Sequence, residues 1–315
     1  MSHQEICGQH YFVRPDRGPL DAMIKAWEPM TPKLILVATD MSERSDRALA
    51  RASQLARQTG AALHILHVVD EELPATIAEA EIASAKVNLN QLTSVGRGLR
   101  GLEARLEVVP GDPWRTIVQK ANLVDADLIV LGTHRRRGLS GMFEGTTIER
   151  VARTSARPVL RVMAPALEAY REVLVAVDFS ECARGAARLA FALAPTAAVT
   201  LVHAYHIPYK GLTVHIGPEG DMSKAEKDEI ESGLSKQIAT FLREVDATGR
   251  DVRSFLAEGT PDHVLRQQIA ARNADLLCLG LHSRSWLQDS ILGSTAWEML
   301  ADCPCDLLLA PLERR

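Results

Sequence analysis

Continuous apolar runs alternate with amphipathic stretches along most of this chain. Residues 34–38 (LILVA) are apolar throughout, the pattern of a strand buried on both faces. Ala48, Ala52, Leu55 and Ala56 then recur at helical spacing until Gly60, and residues 63–69 (LHILHVV) predict a second strand. Residues 74–100 carry a weaker helical pattern, closed by Gly96, Gly98 and Gly101. ARLEVV predicts a third strand, and Gly111-Asp112-Pro113 a helix start with Asp112 placed to cap it. Trp114, Ile117, Val118 and Ala121 form the buried stripe of that helix. DLIVL, a helix with Ile148, Val151, Ala152 and Ser155 on one face, and PVLRVMA complete a five-stranded unit.

The whole pattern then recurs. After a linker at 165–171, VLVAVDFS reopens it with Asp178 where Asp40 stood, and Ala183, Ala187, Ala190 and Ala194 share a helical face. VTLVHAY brings His203 to the place of His67, and a loop at 206–221 precedes a charged amphipathic helix ending near residue 245. DVRSFL, Gly259-Thr260-Pro261, ADLLCLG, a helix carrying Ala296, Met299, Leu300 and Cys303, and DLLLAPL follow in the same order. Strands alternating with helices need crossovers between parallel neighbours, so the fold class is α/β with helices on both faces of each sheet. The expected organisation is an arm at 1–32 and two domains at 33–165 and 171–312. Met23, Ile24 and Trp27 offer the arm a docking surface, while His3, Cys7 and His10 read as terminal residues and not as metal ligands.

The repeat is strictest where residues 126–147 (ADLIVLGTHRRRGLSGMFEGTT) recur as 274–295 (ADLLCLGLHSRSWLQDSILGST) without insertion or deletion. Each copy reads as strand, glycine (Gly132 or Gly280), polar loop, then Gly145-Thr146-Thr147 or Gly293-Ser294-Thr295 at a helix start. Glycine permits close backbone approach, and the first amides of a helix lack partners and carry a positive dipole end. Phosphate suits such a joint, and the hydroxyls of Thr146, Thr147, Ser294 and Thr295 add donors. In a doubly wound sheet ligands lie outside the carboxyl ends of the strands, where Asp40, Asp178, Gly132 and Gly280 all fall.

Composition narrows the classes. The chain has 315 residues, enough for two ordinary domains, and is 46% hydrophobic, 24% charged and 4% aromatic, as expected for aliphatic globular cores. A net charge of −4 with one basic run, Arg135-Arg136-Arg137, argues against a nucleic-acid partner. The chain is read as having no membrane span and no basic-then-apolar leader, and a cytoplasmic location is expected. Five cysteines without scaffold spacing read as reduced thiols, including the Cys303-Pro304-Cys305 pair, which falls on a helix face and a strand start. His134 and His282 read as loop-stabilising residues, not general bases, and His67, His203, His206 and His215 are not read as a metal cluster. No dinucleotide fingerprint, P-loop or hydrolase elbow is present.

The strand-four motif, with its helix-opening Gly-Thr and Gly-Ser pairs, resembles that of the universal stress protein family in its tandem, two-domain form. The nucleotide-binding branch carries G-x-x-G-x9-G-[ST], and both halves match its spacing but replace the second glycine, by Arg135 and by Ser283. Arg135 either crowds the phosphates or supplies a guanidinium fork to them. The resemblance implies an open five-stranded parallel sheet in each half, strand order 3-2-1-4-5, of the adenine nucleotide alpha hydrolase-like type, with the fifth strands PVLRV and DLLLA pairing across the two domains of a pseudo-dimer. It also implies adenine-nucleotide sites: Asp40 and Asp178 toward the adenosine, Val68 and Ala204 near the adenine, Leu131 and Leu279 before the site glycines, with ATP, accompanied by Mg, as the cofactor. A regulator acting through binding, without catalysis, is the expected function. A nucleotide-free adaptor of the same family and a slow ATPase are the alternatives. Partners are expected to be adenine nucleotide and unidentified proteins, with two pseudo-dimers able to pair again.

Overall fold

The computed structural model describes residues 9–11, 31–95, 99–133, 146–205, 224–281 and 293–311. A short strand β1 (Gln9–Tyr11) precedes the first half, which runs β2 (Leu34–Thr39), α1 (Glu43–Thr59), β3 (Ala62–Asp70), α2 (Ala75–Val95), β4 (Ala104–Gly111), α3 (Pro113–Leu123), β5 (Leu128–Gly132), α4 (Thr147–Thr154) and β6 (Val159–Val162). The second half repeats the order as β7 (Glu172–Ala176), α5 (Glu181–Leu193), β8 (Ala198–Tyr205), α6 (Lys224–Glu244), β9 (Val252–Glu258), α7 (Pro261–Arg272), β10 (Leu276–Gly280), α8 (Ser294–Asp302) and β11 (Asp306–Ala310).

The sheet order is β1-β9-β8-β7-β10-β11-β6-β5-β2-β3-β4. Each half therefore has the order 3-2-1-4-5, all parallel within the half. The pairing of PVLRV with DLLLA expected across the two domains is present. The antiparallel pairing of β6 with β11, Leu160 opposite Leu308, fuses the sheets of the two halves into one eleven-stranded sheet. That pairing removes two apolar edges that would otherwise invite association. Part of the arm belongs to the sheet as well, since β1 pairs antiparallel with the outer edge of β9.

Strand side chains alternate between two cores. Ile35, Val37, Leu128 and Val130 face α1 and α5, whereas Leu36, Ile129 and Leu131 face α3 and α4, with the same alternation in the second half. Asp112 does occupy the N-cap of α3, with Pro113 in the first turn, but makes no side-chain capping bond. Its carboxylate instead lies 3.7 Å from Arg115.

Buried polar groups tie the halves together. Asp306, at the start of β11, is wholly buried. Its Oδ2 accepts from Arg51 Nε of α1 at 3.2 Å and from Tyr170 Oη of the linker at 2.7 Å; its Oδ1 accepts from the amides of Met163 and Ala164 at 2.8 and 3.2 Å. The Arg51 guanidinium stands 4.0 Å from the centre of the Tyr170 ring. Burial, and then the Asp306 charge, push the Tyr170 phenol well up, so it remains a donor. Arg161 of β6 makes the reverse connection, donating to the carbonyls of Leu300 (3.0 Å), Cys303 (2.6 Å) and Cys305 (3.3 Å).

Removing one partner from a buried ion pair leaves an uncompensated charge. Asp306→Leu and Arg51→Met are each expected to lose about 3–5 kcal/mol in urea unfolding. Asp251→Ala, which breaks a half-exposed pair with Arg253, should change stability by less than about 1 kcal/mol. Equal small effects at all three positions would contradict this reading of the seam.

Candidate functional site

The same joint is built at the carboxyl edge of the sheet in both halves. After β2 the chain turns through Asp40-Met41-Ser42. Asp40 Oδ1 accepts from the Ser42 amide at 3.0 Å and from its hydroxyl at 2.5 Å, while Met41 takes φ +60°. After β7, Asp178 Oδ1 accepts from Ser180 N at 3.1 Å and Oγ at 2.6 Å, and Phe179 takes φ +62°. Ser42 and Ser180 then cap α1 and α5, their Oγ accepting from Ser45 N and Ala183 N. An L-residue in the left-handed region is unfavourable on its own, and the Asp-to-Ser bonds hold it there. The aspartates therefore have a turn-closing role besides being exposed at the mouth of a cavity.

At the site glycines the close backbone approach that the structure shows is to the chain's own backbone. Neither lies at positive φ among the described glycines. A Cβ on Gly132 would stand 2.6 Å from the carbonyl oxygen of Arg44, and one on Gly280 would stand 2.6 Å from the carbonyl carbon of Cys182. The close approach is between the end of strand four and the first turn of the helix after strand one. Glycine brings these two backbones together and so sets Asp40 beside Gly132 and Asp178 beside Gly280.

His67 and His203 secure the floor. Each bonds through Nδ1 to the carbonyl of the residue before the aspartate, Thr39 at 2.7 Å and Val177 at 2.6 Å. A carbonyl can only accept, so Nδ1 carries the proton in both rings. Cys182 lies beside the second joint, but burial, with the nearby Asp178 and Glu181 charges, pushes its thiol pKa up. Among the described residues no three His, Cys, Asp or Glu side chains gather as a metal site.

Each joint opens into a cavity, and the two cavities differ. In the first half about 250 Å³ is lined by residues including Asp40, Val68, Leu131, Gly132, Thr147 and Ser42. In the second about 530 Å³ is lined by Asp178, Ala204, Leu279, Gly280, Gly293, Ser294 and Thr295 together with His203, Pro261 and Leu265. The larger volume falls within the range usual for small-molecule sites, roughly 300–1,000 Å³.

The helix at the back of each cavity sharpens the difference. Thr146 caps α4 in a reciprocal box: its hydroxyl accepts from Glu149 N at 3.4 Å, and its amide donates to Glu149 Oε2 at 2.7 Å. The first half thus sets its own carboxylate against the helix N-terminus, where an anion would go. In the second half α8 begins after Gly293 with no side-chain capping bond, and Trp297 stands where Glu149 would be. Outside the cavity linings a charge also changes sign between the halves. Asp46, whose carboxyl is raised by partial desolvation and then by Asp40 and Glu43, is replaced by Arg184, which donates to the carbonyl of Phe179 at 2.8 Å.

Asp40, Val68, Leu131, Gly132 and Thr147 are thus brought together in one half, and Asp178, Ala204, Leu279, Gly280, Gly293, Ser294 and Thr295 in the other. Thr146 serves as the cap. Arg135, Gly145 and Ser283, with His134, His206, His215 and His282, lie outside the described residues. Sequence reasoning missed Ser42, Ser180 and Glu149, although Asp-x-Ser recurs at both joints and Thr-x-x-Glu is a capping-box pattern.

Fold and joint together define a doubly wound α/β protein built twice in one chain, with a crevice at each switch in strand order. The model of the universal stress protein family matches residues 32–162 and again 169–311, so the chain belongs to that family. A universal stress protein of Methanocaldococcus jannaschii is 30% identical over 158 residues, 47% of this chain and 92% of the relative. The stress response protein NhaX of Bacillus subtilis is 28% identical over 167 residues, 41% of this chain and 96% of its own length. The crystal structure of a universal stress protein from Archaeoglobus fulgidus covers 89% of this chain and 99% of its own at 19% identity, with a TM-score of 0.63, and so shares the fold across both halves. Among the described residues no helix is long and apolar enough to cross a membrane.

Gly280→Ala is expected to lose about 1–3 kcal/mol by forcing the Cys182 backbone aside. Gly293→Ala, where an added Cβ meets nothing within 4 Å, should leave the unfolding midpoint nearly unchanged. Equal midpoints for the two variants would show that Gly280 is not a packing requirement.

Proposed function

We propose that this chain is a stress-response regulator that binds an adenine nucleotide, ATP with Mg, in its second half, and that it works by binding without catalysis. The observation that carries the reading is the N-terminus of α8, whose N-cap Gly293 makes no side-chain capping bond, at the back of a cavity of about 530 Å³ with Asp178 in its lining. The apolar wall of Ala204, Leu265 and Leu279 suits a base, and the amides and hydroxyls of Ser294 and Thr295 suit phosphate oxygens. No base is needed for this role. Bound nucleotide would join the ends of β7, β8, β10 and α8 and bias the surface that the pseudo-dimer presents to cytoplasmic protein partners.

A second reading applies to the first half. The Thr146–Glu149 box occupies its helix N-terminus, which favours a nucleotide-free, partner-binding role there. The chain would then combine one sensor half with one adaptor half.

Calorimetric titration of nucleotide-free protein with MgATP tests both readings. One site per chain is expected. Gly293→Val, placed where a side chain has open space, should weaken binding about tenfold or more, and Asp178→Ala should weaken it as well. Asp40→Ala should leave it unchanged. Absence of binding, or a site lost with Asp40→Ala and kept with Asp178→Ala, would overturn the assignment.

A further inference from the structure

The turn between α8 and β11 carries two thiols that the fold does not require. Cys303 Sγ and Cys305 Sγ lie 3.6 Å apart, and both residues are buried. At the equivalent turn of the first half, Ser155 and Arg157 take these places, and the Ser155 hydroxyl closes the turn by accepting from Arg157 N at 2.9 Å. A small polar side chain is thus sufficient there, and Cys303 can become serine without loss of the turn.

Against this pair stands a buried cation without a matching anion. Arg161 is 5% exposed, and among the described residues its guanidinium donates to the carbonyls of Leu300, Cys303 and Cys305. Its Nε has no hydrogen-bond partner, and among the described residues no carboxylate is ion-paired with it. Of the two acidic residues that flank the pair, Asp306 is engaged by Arg51 and Asp302, exposed at the end of α8, by Arg266. A buried cation favours a negative charge nearby, and of the three buried residues that Arg161 bonds to, the two cysteines carry a side chain able to supply one.

We propose that Cys303 and Cys305 form a peroxide-reactive dithiol, Cys303 as the attacking thiolate and Cys305 as the resolving thiol, with Arg161 as the counter-charge. The hydrogen bond from the Cys305 thiol, helped by the Cys305 amide and the Arg161 and Arg266 charges, lowers Cys303 to about 7 against the opposing effect of burial. Cys305 is pushed up, first by that same bond and then by burial, with Asp306 adding to it. Arg161 from β6, Arg266 from α7, Asp302 from α8, which pairs with Arg266 at 3.2 Å, and Asp306 from β11 are the charged groups around the pair.

The chemistry balances with a hydroperoxide as oxidant. The Cys303 thiolate attacks one oxygen of hydrogen peroxide, the O–O bond breaks, and Cys303 sulfenic acid and hydroxide form. The Cys305 thiol then displaces the sulfenic hydroxyl, which leaves as water with the Cys305 proton, and an S–S bond closes. Two electrons pass from the sulfurs to the peroxide. Burial selects a water-sized oxidant over bulky disulfides. Its route is the last turn of the nine-residue α8, where Ala301, Asp302 and Pro304 are exposed around the pair and helix ends fray.

The test is mass spectrometry of the full chain after equimolar hydrogen peroxide, alkylation and digestion. The peptide bearing Cys303 and Cys305 should lose both alkylation sites and two hydrogens, while Cys182 and Cys278 stay alkylated. The rate should rise about tenfold between roughly pH 6 and 8. In Cys305→Ser the sulfenic acid should accumulate at Cys303 and be trapped by dimedone; in Cys303→Ser neither product should form. Arg161→Lys should keep the reaction, and Arg161→Met, if folded, should slow it. Both thiols alkylated after excess peroxide, or Cys182 oxidised as fast as the pair, would overturn the proposal.

Discussion

A carboxylate with no access to water, Asp306, governs how the two halves meet. A buried charge costs several kcal/mol unless it is paired and hydrogen-bonded. Arg51 and the amides of Met163 and Ala164 come from the first half and its end, and Tyr170 comes from the linker. The last strand of the second half is therefore satisfied only beside this first half. The groups involved do not repeat. The positions equivalent to Arg51, Arg161 and Asp306 are Leu189, Leu309 and Pro158. Two first halves placed together would bury arginines without Asp306, and two second halves would bury two aspartates without arginine. The strand pairing is available to any two copies, but the buried ion pair exists only between unlike halves.

Once the seam distinguishes the halves, their edges can diverge. Glu149 at the first helix N-terminus becomes Trp297, Asp46 becomes Arg184, and the Ser155 turn becomes a pair of thiols. The first removes a carboxylate from the helix N-terminus at the second crevice, whose cavity is about 530 Å³ against about 250 Å³ in the first half. The third places two sulfurs at the far end of the helix whose beginning lines that crevice. The backbone frame, with its left-handed Met41 or Phe179 and its glycine-to-helix contact, stays constant through all of this.

Much of this frame was legible in the sequence because it is periodic. Runs such as LILVA and DLLCL have a single sensible burial, and an uninterrupted repeat reports its own register. Asp40, Asp178 and the strand-four glycines were found for the same reason. What escaped was non-local. Arg161 reads as one polar residue in PVLRV, and its carbonyl partners lie 139 to 144 residues away. The atoms that forbid a side chain at Gly132 belong to the backbone at Arg44, which no residue pattern records. Asp112 shows the converse case, with its position right and its capping bond absent. The inequality of the crevices was legible in principle, since Thr-x-x-Glu in one copy and Ser-x-x-Trp in the other differ at the residue that closes the helix end.

Amide hydrogen exchange of the full chain, with and without saturating MgATP, puts that inequality to the most direct test. Nucleotide held by the second half should slow exchange in the first turn of α8, residues 294–297, and leave the first turn of α4, residues 147–150, unchanged. Equal protection of both turns, or protection confined to α4, would contradict the division into one open and one self-capped crevice.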